Sequence, residues 1–246
     1  MGRLEGRRAL ITGAGGGLGS GIARAFAFEG ARLVLCGRRE EPLERLRAEL
    51  AGARALAFDV GDAAATGDAV ERAAELLGGL DAVIVAAAVD CDWSLVGEMT
   101  VATWDETIAT NLSGAFYTCR AALPHLVAAG GGSIVALTSV AAYKVWPQDV
   151  AYAASKAGVD MLVRAIAVEY GPDGVRANCI SPGVIDGGMT DEITDPAERR
   201  RLAEMHAIPR LGLVEEVAEA AVWLSSDAAS FTSGSVLRVD GAFLDR

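Results

Sequence analysis

The chain has 246 residues, a formal net charge of −11 and a pI of about 4.7. Hydrophobic residues make up 52% and charged residues 22%, a composition that supports a large core and excludes a disordered chain. A protein that binds nucleic acid normally presents a basic face, so the acidic balance argues against such a partner.

Membrane attachment is not expected either. The apolar run Ala82 to Val89 is far shorter than the roughly 18 residues that span a bilayer. Residues 1–8 lack the apolar core of a signal peptide, and Gly6 stands where myristoylation of Gly2 requires Ser or Thr. We therefore expect a cytoplasmic protein without a membrane partner.

The cysteines are scattered without a Cys-x-x-Cys pair, and the two histidines are far apart. We expect the thiols to be reduced and mostly buried, and we expect no metal site. The residues concerned are Cys36, Cys91, Cys119, Cys179, His125 and His206.

Short apolar runs alternate with helical stretches along the chain. Strands are predicted at Ala9–Thr12, Arg32–Cys36, Ala55–Phe58, Ala82–Ala86, Ser133–Thr138, Arg176–Ser181 and Val236–Val239. Helices are predicted at Leu18–Glu29, Pro42–Leu50, Ala63–Leu77, Val101–Asn111, Ala115–Ala129, Ala151–Tyr170 and Val214–Leu224. Several strands are continuously hydrophobic, which is typical of strands covered on both faces. The sequence therefore predicts one α/β domain over residues 1–246, a doubly wound, parallel seven-stranded Rossmann-type sheet with helices on both faces.

The stretch from Asp186 to Gly212 breaks this alternation. It contains a Gly-Gly pair, a charged cluster and Pro209, and it follows a strand end where ligands bind in such sheets. We predict a substrate lid over residues 186–212. The alternative is a plain surface insertion with a short helix.

A glycine-rich turn joins the first strand to the first helix, in the run Thr12 to Gly19. Glycines permit a tight turn and close approach of a ligand to the backbone. The helix N-terminus offers free N–H groups and a positive dipole end to a pyrophosphate. This placement predicts a dinucleotide site, whereas a glycine turn without a ligand is the alternative.

Tyr152 and Lys156 are four residues apart, the spacing of neighbours on one helix face. An ammonium about 4 Å away favours a phenolate by roughly 4 kcal/mol at an effective dielectric of about 20. That lowers a phenol pKa from about 10 to about 7, near working pH. An isolated Tyr-x-x-x-Lys is usually a solvated helix face, so the assignment depends on the rest of the chain.

The spacing Thr-Gly-x-x-x-Gly-x-Gly, with Tyr-x-x-x-Lys far downstream, resembles the short-chain dehydrogenase/reductase family, in its compact, single-domain, 3-oxoacyl reductase-like branch. The resemblance covers nearly the whole chain. The further matching positions are Asp59-Val60, Asn111, Ser139, Pro182-Gly183 and Asp240-Gly241.

The resemblance implies four catalytic residues in a ketone reductase. Tyr152 acts as general acid or base, and Lys156 lowers its pKa and binds the nicotinamide ribose. Ser139 donates a hydrogen bond to the substrate oxygen, and Asn111 positions a water for proton relay. Read alone, Asn111 and Ser139 are a helix kink or cap and a strand-end hydroxyl.

The cofactor contacts that the resemblance implies lie along the strand ends. They are Gly13, Gly17, Leu18, Gly19, Arg38, Asp59, Val60, Ala86, Ala87, Tyr152, Lys156, Pro182, Gly183 and Ile185. NAD sites place an acidic residue after the second strand, but here Gly37 takes that position and Arg38 follows. A guanidinium suits a 2′-phosphate, so the sequence favours NADP(H) and leaves NAD(H) as the alternative. In that alternative Arg38 or Arg39 merely pairs with Glu40, Glu41 or solvent.

The chain departs from the family pattern in three places. Ala86-Ala87-Ala88-Val89 replaces Asn-Asn-Ala-Gly, so the amide side chains that support the central strand are missing. Gly187 replaces the Thr that contacts the nicotinamide amide, for which Thr190 is a candidate substitute. The terminal Asp-Gly-Gly is Asp240-Gly241-Ala242. These changes bear on cofactor affinity more than on proton transfer.

An apolar substrate pocket is expected beside the reacting carbon, lined by Trp93, Val140, Val145, Trp146 and Met189. Arg199–Arg201 and Arg210 are candidates to meet an anionic substrate. The sequence thus favours an NADP(H)-dependent reductase of a ketone, with a small-molecule partner and a homotetramer implied by the resemblance. The alternatives are an NAD-linked secondary-alcohol dehydrogenase and a cofactor-sensing protein without turnover.

Overall fold

The computed structural model describes residues 2–90 and 93–246, so the prediction for Cys91 lies outside the described residues. The described residues hold nine strands. They are β1 (Arg8–Thr12), β2 (Arg32–Gly37), β3 (Arg54–Ala57), β4 (Ala82–Val85), β5 (Gly132–Leu137), β6 (Val175–Pro182), β7 (Ile185–Asp186), β8 (Gly212–Leu213) and β9 (Val236–Val239). The seven predicted strands are all present, each end within one residue of its predicted position.

Eight α-helices lie in the same described ranges. They are α1 (Gly17–Phe28), α2 (Glu40–Glu49), α3 (Ala63–Leu77), α4 (Val101–Ile108), α5 (Gly114–Ala128), α6 (Val150–Tyr170), α7 (Pro196–Glu204) and α8 (Val214–Ser225). Among these helices and within the described residues, none is both long enough and apolar enough to cross a membrane.

One predicted helix is wrong at its end. Val101–Asn111 was expected as a single α-helix, but α4 stops at Ile108 and a π-helical turn follows over Ala109–Ser113. The Gly114 N–H reaches back five residues to the carbonyl of Ala109, which widens the helix by one residue. Sequence periodicity does not reveal this, because the chain continues as helix on both sides of the wider turn.

The main sheet is parallel throughout, in the order β3-β2-β1-β4-β5-β6-β9, which confirms the predicted doubly wound fold. The side chains of neighbouring residues in one strand point to opposite faces of the sheet. Ile11 packs in the core that α1 and α8 cover, whereas Leu10 packs in the core under α3, α5 and α6. The chain winds outward from β1 to β3 and then crosses back to β4, so a crevice opens at the carboxyl ends of β1 and β4.

The 186–212 segment contains a short helix, which the sequence suggested only as part of the alternative to a lid. Helix α7 starts at Pro196, and Asp195 caps it by accepting from the Ala197 N–H at 2.9 Å. β7 and β8, at the two ends of the segment, pair as a separate parallel ribbon that was not predicted. The ends of the segment are therefore fixed to each other, at the rim of the crevice.

The cysteines that the structure describes lie in the protein interior. Cys36, Cys119 and Cys179 are free and buried, as expected. Burial raises the pKa of Cys36 and of Cys119 to about 12, so neither thiol is poised to react as a thiolate.

Candidate active site

A cleft of about 1240 Å³ runs along the carboxyl ends of the central strands. Thirteen of the predicted cofactor positions line it: Gly13, Gly17, Leu18, Gly19, Arg38, Val60, Ala86, Ala87, Tyr152, Lys156, Pro182, Gly183 and Ile185. Asp59 does not line the cleft. Its carboxylate accepts a hydrogen bond from the Gly61 N–H at 2.9 Å and so stabilises the turn after β3.

The glycine-rich turn has no room for side chains. Gly13 has a φ of 68°, and a Cβ there would lie 2.6 Å from the nitrogen of Ala87. A Cβ on Gly19 would lie 2.1 Å from the carbonyl oxygen of Gly13. Helix α1 then begins at Gly17, and its cap residue Gly16 offers no side-chain acceptor to the first turn. The bare backbone and the helix N-terminus form a cradle that fits a pyrophosphate.

Two arginines follow β2 at the adenosine end of the cleft. Arg38 and Arg39 line it, are exposed, and form no ion pair among the described residues. Their guanidinium groups are therefore available to an anion, in agreement with the charge expected of a 2′-phosphate site.

Lys156 is the most unusual ionisable group in the cleft. Its side chain is only 3% exposed, and its Nζ donates to the carbonyl oxygen of Leu137 at 2.9 Å. Burial lowers its pKa from 10.5 to about 8. The same Nζ lies 5.4 Å from the centre of the Tyr152 ring. The one-turn spacing on α6 thus brings amine and phenol together, within a cleft that both line.

Ser139 stands at the end of β5 and lines the same cleft. Its Oγ accepts a hydrogen bond from the Ala141 N–H at 3.1 Å, which starts a short 3₁₀ turn over Val140–Ala142. Because this bond uses a lone pair, the hydroxyl hydrogen can still be donated to an oxygen in the cleft.

Asn111 lies outside the cleft lining, on the π-helical turn. Its Oδ1 accepts from the Val89 N–H at 2.8 Å, and its Nδ2 donates to the Val89 carbonyl at 2.9 Å and to Ser155 Oγ at 3.2 Å. The side chain therefore joins the segment after β4 to α6, two walls of the cleft.

Thr12 was not singled out as a functional residue from the sequence. Its Oγ1 accepts from the N–H groups of Ala86 and Ala87 at 3.1 and 3.3 Å, and it donates to the carbonyl of Ile84 at 3.3 Å. This buried hydroxyl supports the end of β4, where the family's amide side chains are missing. The only signal in the sequence is its place directly before Gly13.

Thr190, the candidate substitute for the Thr that Gly187 replaces, lines the cleft and bonds to the backbone of its own loop. Its Oγ1 accepts from the Gly187 N–H at 3.0 Å and donates to the carbonyl of Ile185. Nearby, Gly188 packs directly on the glycine turn, since a Cβ on Gly17 would lie 2.5 Å from the nitrogen of Gly188. The 186–212 segment thus touches the phosphate cradle at one end.

Three arginines of the 186–212 segment form ion pairs with carboxylates of the protein. Arg199 pairs with Asp186, Arg201 with Glu198 and Arg210 with Glu216, at 2.6, 2.7 and 2.6 Å. The expectation that these three guanidinium groups wait for an anionic substrate is therefore not supported. Val145 is also misplaced in the expected pocket: it is 87% exposed and does not line the cleft, whereas Trp93, Val140, Trp146 and Met189 do.

An aromatic stack, which the sequence did not reveal, supports the substrate side of the cleft. Trp146 stacks on Phe243 with ring centres 5.7 Å apart, and Phe243 packs on the buried His206. His206 Nε2 accepts from the Val184 N–H at 3.1 Å, so the proton lies on Nδ1, which faces the carbonyl of Leu202 at 3.0 Å. Within the described ranges no cluster of His, Cys, Asp and Glu side chains suits a metal ion.

Comparisons with known proteins agree with this geometry. A family model described as enoyl-(acyl carrier protein) reductase matches residues 13–243. The D-threitol dehydrogenase of Mycolicibacterium smegmatis is 38% identical over 245 residues, which cover 98% of this chain and 94% of that enzyme. The galactitol 2-dehydrogenase (L-tagatose-forming) of Cereibacter sphaeroides is 38% identical over 246 residues, covering 98% and 96%. A crystal structure described as a short-chain alcohol dehydrogenase from Sinorhizobium meliloti superposes with a TM-score of 0.94 and 37% identity, covering 98% of both chains.

The chain belongs to the short-chain dehydrogenase/reductase family. The resemblance seen in the sequence is confirmed, and the protein is an NAD(P)-dependent oxidoreductase. The glycine cradle and the strand-end cleft fit such a cofactor.

The depressed pKa of Lys156 predicts an unusual pH dependence of stability. Between pH 8 and 10.5 the unfolded chain holds a proton that the folded, ligand-free protein has released, so the free energy of unfolding rises with pH. Below pH 8 both states are protonated and the cost of the buried charge is fully present. Lys156→Met removes this cost, of about 3 kcal/mol at most. We expect a higher free energy of unfolding at neutral pH and a flatter pH dependence above pH 8.

Urea unfolding of the ligand-free protein at neutral and alkaline pH measures this. Lys144→Met is the matched control, because Lys144 is half-buried and donates to the Phe243 and Arg246 carbonyls instead. A Lys156→Met variant with the same pH slope as the wild type would contradict the assigned pKa.

Proposed function

We propose that the protein interconverts a ketone and a secondary alcohol, with Tyr152 as the general acid for reduction and the general base for oxidation. The observation that carries this proposal is the convergence of Tyr152, Lys156 and Ser139 in the cleft that also contains the glycine cradle. When bound, the nicotinamide supplies the hydride chemistry. A ketone that gains hydride develops negative charge on oxygen and requires a proton there, which the Tyr152 hydroxyl provides.

Lys156 and Ser139 stabilise different groups in the proposed reaction. The Lys156 ammonium, held by Leu137, favours the phenolate form of Tyr152 and binds the nicotinamide ribose. The Ser139 hydroxyl donates to the substrate oxygen and so stabilises the negative charge that develops there. Asn111 is proposed to position the relay water. Its fixed place on the π-helical turn beside α6 supports this role.

The proposed cofactor is NADP(H), because Gly37 replaces the acid that NAD-binding sites carry after β2, and Arg38, which follows it, has no ion-pair partner among the described residues. NAD(H) remains the alternative.

We further propose that the 186–212 segment is the substrate lid, since Met189, Ile193 and Leu202 line the cleft. The homotetramer is also proposed. The exposed apolar side chains Phe116 on α5 and Met161 and Val168 on α6 offer a face for contact between subunits.

Tyr152→Phe tests the reaction. Turnover of a broad panel of ketones with NADPH should fall by about 10²- to 10⁴-fold, because the proton donor is lost while the ring remains. Tyr143→Phe is the matched control. Its hydroxyl donates to Asp160 at 2.7 Å and it does not line the cleft, so its turnover should stay near that of the wild type. Unchanged turnover in Tyr152→Phe would refute the acid–base role.

Arg38→Ala tests the cofactor. The dissociation constant for NADPH should rise about ten- to hundredfold, the range of one hydrogen bond to a charged group, whereas that for NADH should hardly change. Arg47→Ala serves as the control, because Arg47 is exposed, pairs with Glu44 and does not line the cleft. Cofactor titration by fluorescence at low salt measures both constants. Equal affinity of the wild type for NADH and NADPH would contradict the role given to Arg38.

A further inference from the structure

Residues 240–246, which follow β9, form a turn that buries one aromatic ring. The Asp240 carboxylate accepts hydrogen bonds from the Ala242 N–H at 3.0 Å and from the Leu244 N–H at 3.2 Å. The Phe243 N–H donates to the carbonyl of Asp240 at 2.9 Å. The turn places Phe243 in the interior, with 0% of its surface exposed, and outside the lining of the cleft. The proposed reaction does not account for this ring.

The backbone of this turn is strained. Ala242 has a φ of 59°, in the left-handed region that glycine favours, and it stands where the family pattern carries a second glycine. Strain of this kind persists where the surrounding structure over-determines the conformation. The burial of Phe243 directly after Ala242 provides that constraint, so packing rather than turn preference specifies the position of the ring.

The Phe243 ring contacts side chains from two other parts of the chain. Trp146 is stacked on it, with an angle of 9° between the ring planes and 5.7 Å between the ring centres. The Nζ of Lys144, on the same loop as Trp146, lies 4.7 Å from the centre of the Phe243 ring. His206, which follows α7, packs against Phe243 with ring centres 5.3 Å apart. Phe243 therefore joins the loop between β5 and α6 to the 186–212 segment.

The residues around Trp146 are turned to solvent. Val145 and Pro147 are exposed, and Gln148, also exposed, has a φ of 72°. Trp146 itself is half-buried and lines the cleft. An indole on such a loop is free to change its orientation unless a partner fixes it, and the stack on Phe243 provides a partner.

His206 extends this support to a second part of the cleft wall. Its Nε2 accepts from the Val184 N–H, and its Nδ1 donates to the carbonyl of Leu202. Val184 and Leu202 both line the cleft. The contact of Phe243 with His206 therefore supports the wall that the 186–212 segment contributes.

The wall that Trp146 forms is apolar and flat. Val140 and Met189 line the cleft together with it. A fixed indole makes more contact with the face of a carbon ring than with a short chain, and each buried methylene group strengthens binding by about fourfold. The geometry of this wall therefore bears on the carbon skeleton of the substrate, whereas Tyr152 and Ser139 bear on its oxygen.

We propose that Phe243 is a positioning residue for substrate specificity, which acts by fixing Trp146 as a flat wall of the cleft. The substrate class that this wall favours is a ketone or secondary alcohol with an alicyclic ring, over one with a short open chain. The proposal rests on the proposed function, because it assumes that a ketone is reduced at Tyr152.

The first measurement is the ratio of kcat/KM for cyclohexanone to kcat/KM for acetone, with NADPH or NADH, whichever the enzyme uses. The wild type should favour cyclohexanone. Phe243→Leu should lower the ratio by about four- to fifteenfold, the contact of one to two methylene groups, because a mobile indole packs less well on the ring. Both constants come from one preparation, so the ratio does not depend on the folded fraction.

Phe26→Leu is the matched control, because Phe26 on α1 is equally buried, packs in the core and does not line the cleft. Its ratio should equal that of the wild type. Trp146→Ala should lower the ratio at least as far as Phe243→Leu does. Adding Phe243→Leu to Trp146→Ala should then lower it no further, since Phe243 acts through Trp146. If Phe243→Leu does not fold, Phe243→Met, with a flexible apolar side chain, takes its place.

Acrylamide quenching of fluorescence reports on Trp146 without turnover. The chain has four tryptophans, so the Trp146 contribution is the difference between each protein and its Trp146→Phe counterpart. The quenching constant of Trp146 should rise in Phe243→Leu, because the indole leaves its stack, and should stay unchanged in Phe26→Leu.

The same Trp146 quenching constant in the wild type and in Phe243→Leu would overturn the positioning role, and so would additive losses in the double variant. A wild type that prefers acetone, or that reduces other ketones but not cyclohexanone, would overturn the substrate class. Tyr152→Phe reports separately on the reaction. If the proposed reaction fails that test, the quenching result still decides whether Phe243 fixes Trp146.

Discussion

The burial of one amine beside one phenol is the constraint on which the rest of the site depends. Lys156 is buried, and its Nζ donates a hydrogen bond to the carbonyl oxygen of Leu137 at 2.9 Å. Burial penalises the charged ammonium form, which is why the pKa of Lys156 falls to about 8. The Tyr152 ring lies 5.4 Å from this amine, and in the proposed reaction its phenolate form offsets the penalty. The chain contains only two lysines, and basic surface positions are otherwise arginines. A lysine in the core is therefore a specific choice for a titrating amine.

The sheet places this pair opposite the cofactor cradle. Parallel strands end at one edge, and the crossing from β3 back to β4 opens the crevice there. Thr12, the last residue of β1, and Asn111 then fix the backbone that follows β4, each through hydrogen bonds to main-chain atoms. Because these bonds do not depend on the side chains at Ala86 to Val89, the departure from the family's amide pattern leaves the cleft intact.

The sequence predicted the fold and most of the site, for physical reasons that differ by residue. Continuous apolar strands and a glycine turn before a helix are local patterns, so the seven strands and the phosphate cradle could be predicted. The Tyr152 and Lys156 spacing is also local. By contrast, the stack of Trp146, Phe243 and His206 joins residues from three distant parts of the chain, and no local pattern indicates it.

Ion pairs that no local pattern indicates explain why the arginines of the 186–212 segment were expected to be free. Arg199 and Arg210 look like free charges in the sequence, but Asp186 and Glu216, several residues away in each case, neutralise them. The π-helical turn at Asn111 and the strained Gln148 are single-residue departures from regular geometry. Neither changes the hydrophobic pattern, so both become visible only in three dimensions.

The most direct test of the central claim is the titration of Tyr152 itself. Phenolate formation is followed by difference absorbance or by NMR of labelled tyrosine, in the presence of oxidised cofactor, for the wild type and for Lys156→Met. The chain has four tyrosines, and Tyr152→Phe identifies the relevant signal. The account predicts that Tyr152 titrates at a clearly lower pH in the wild type than in Lys156→Met. An identical titration in both proteins would contradict it.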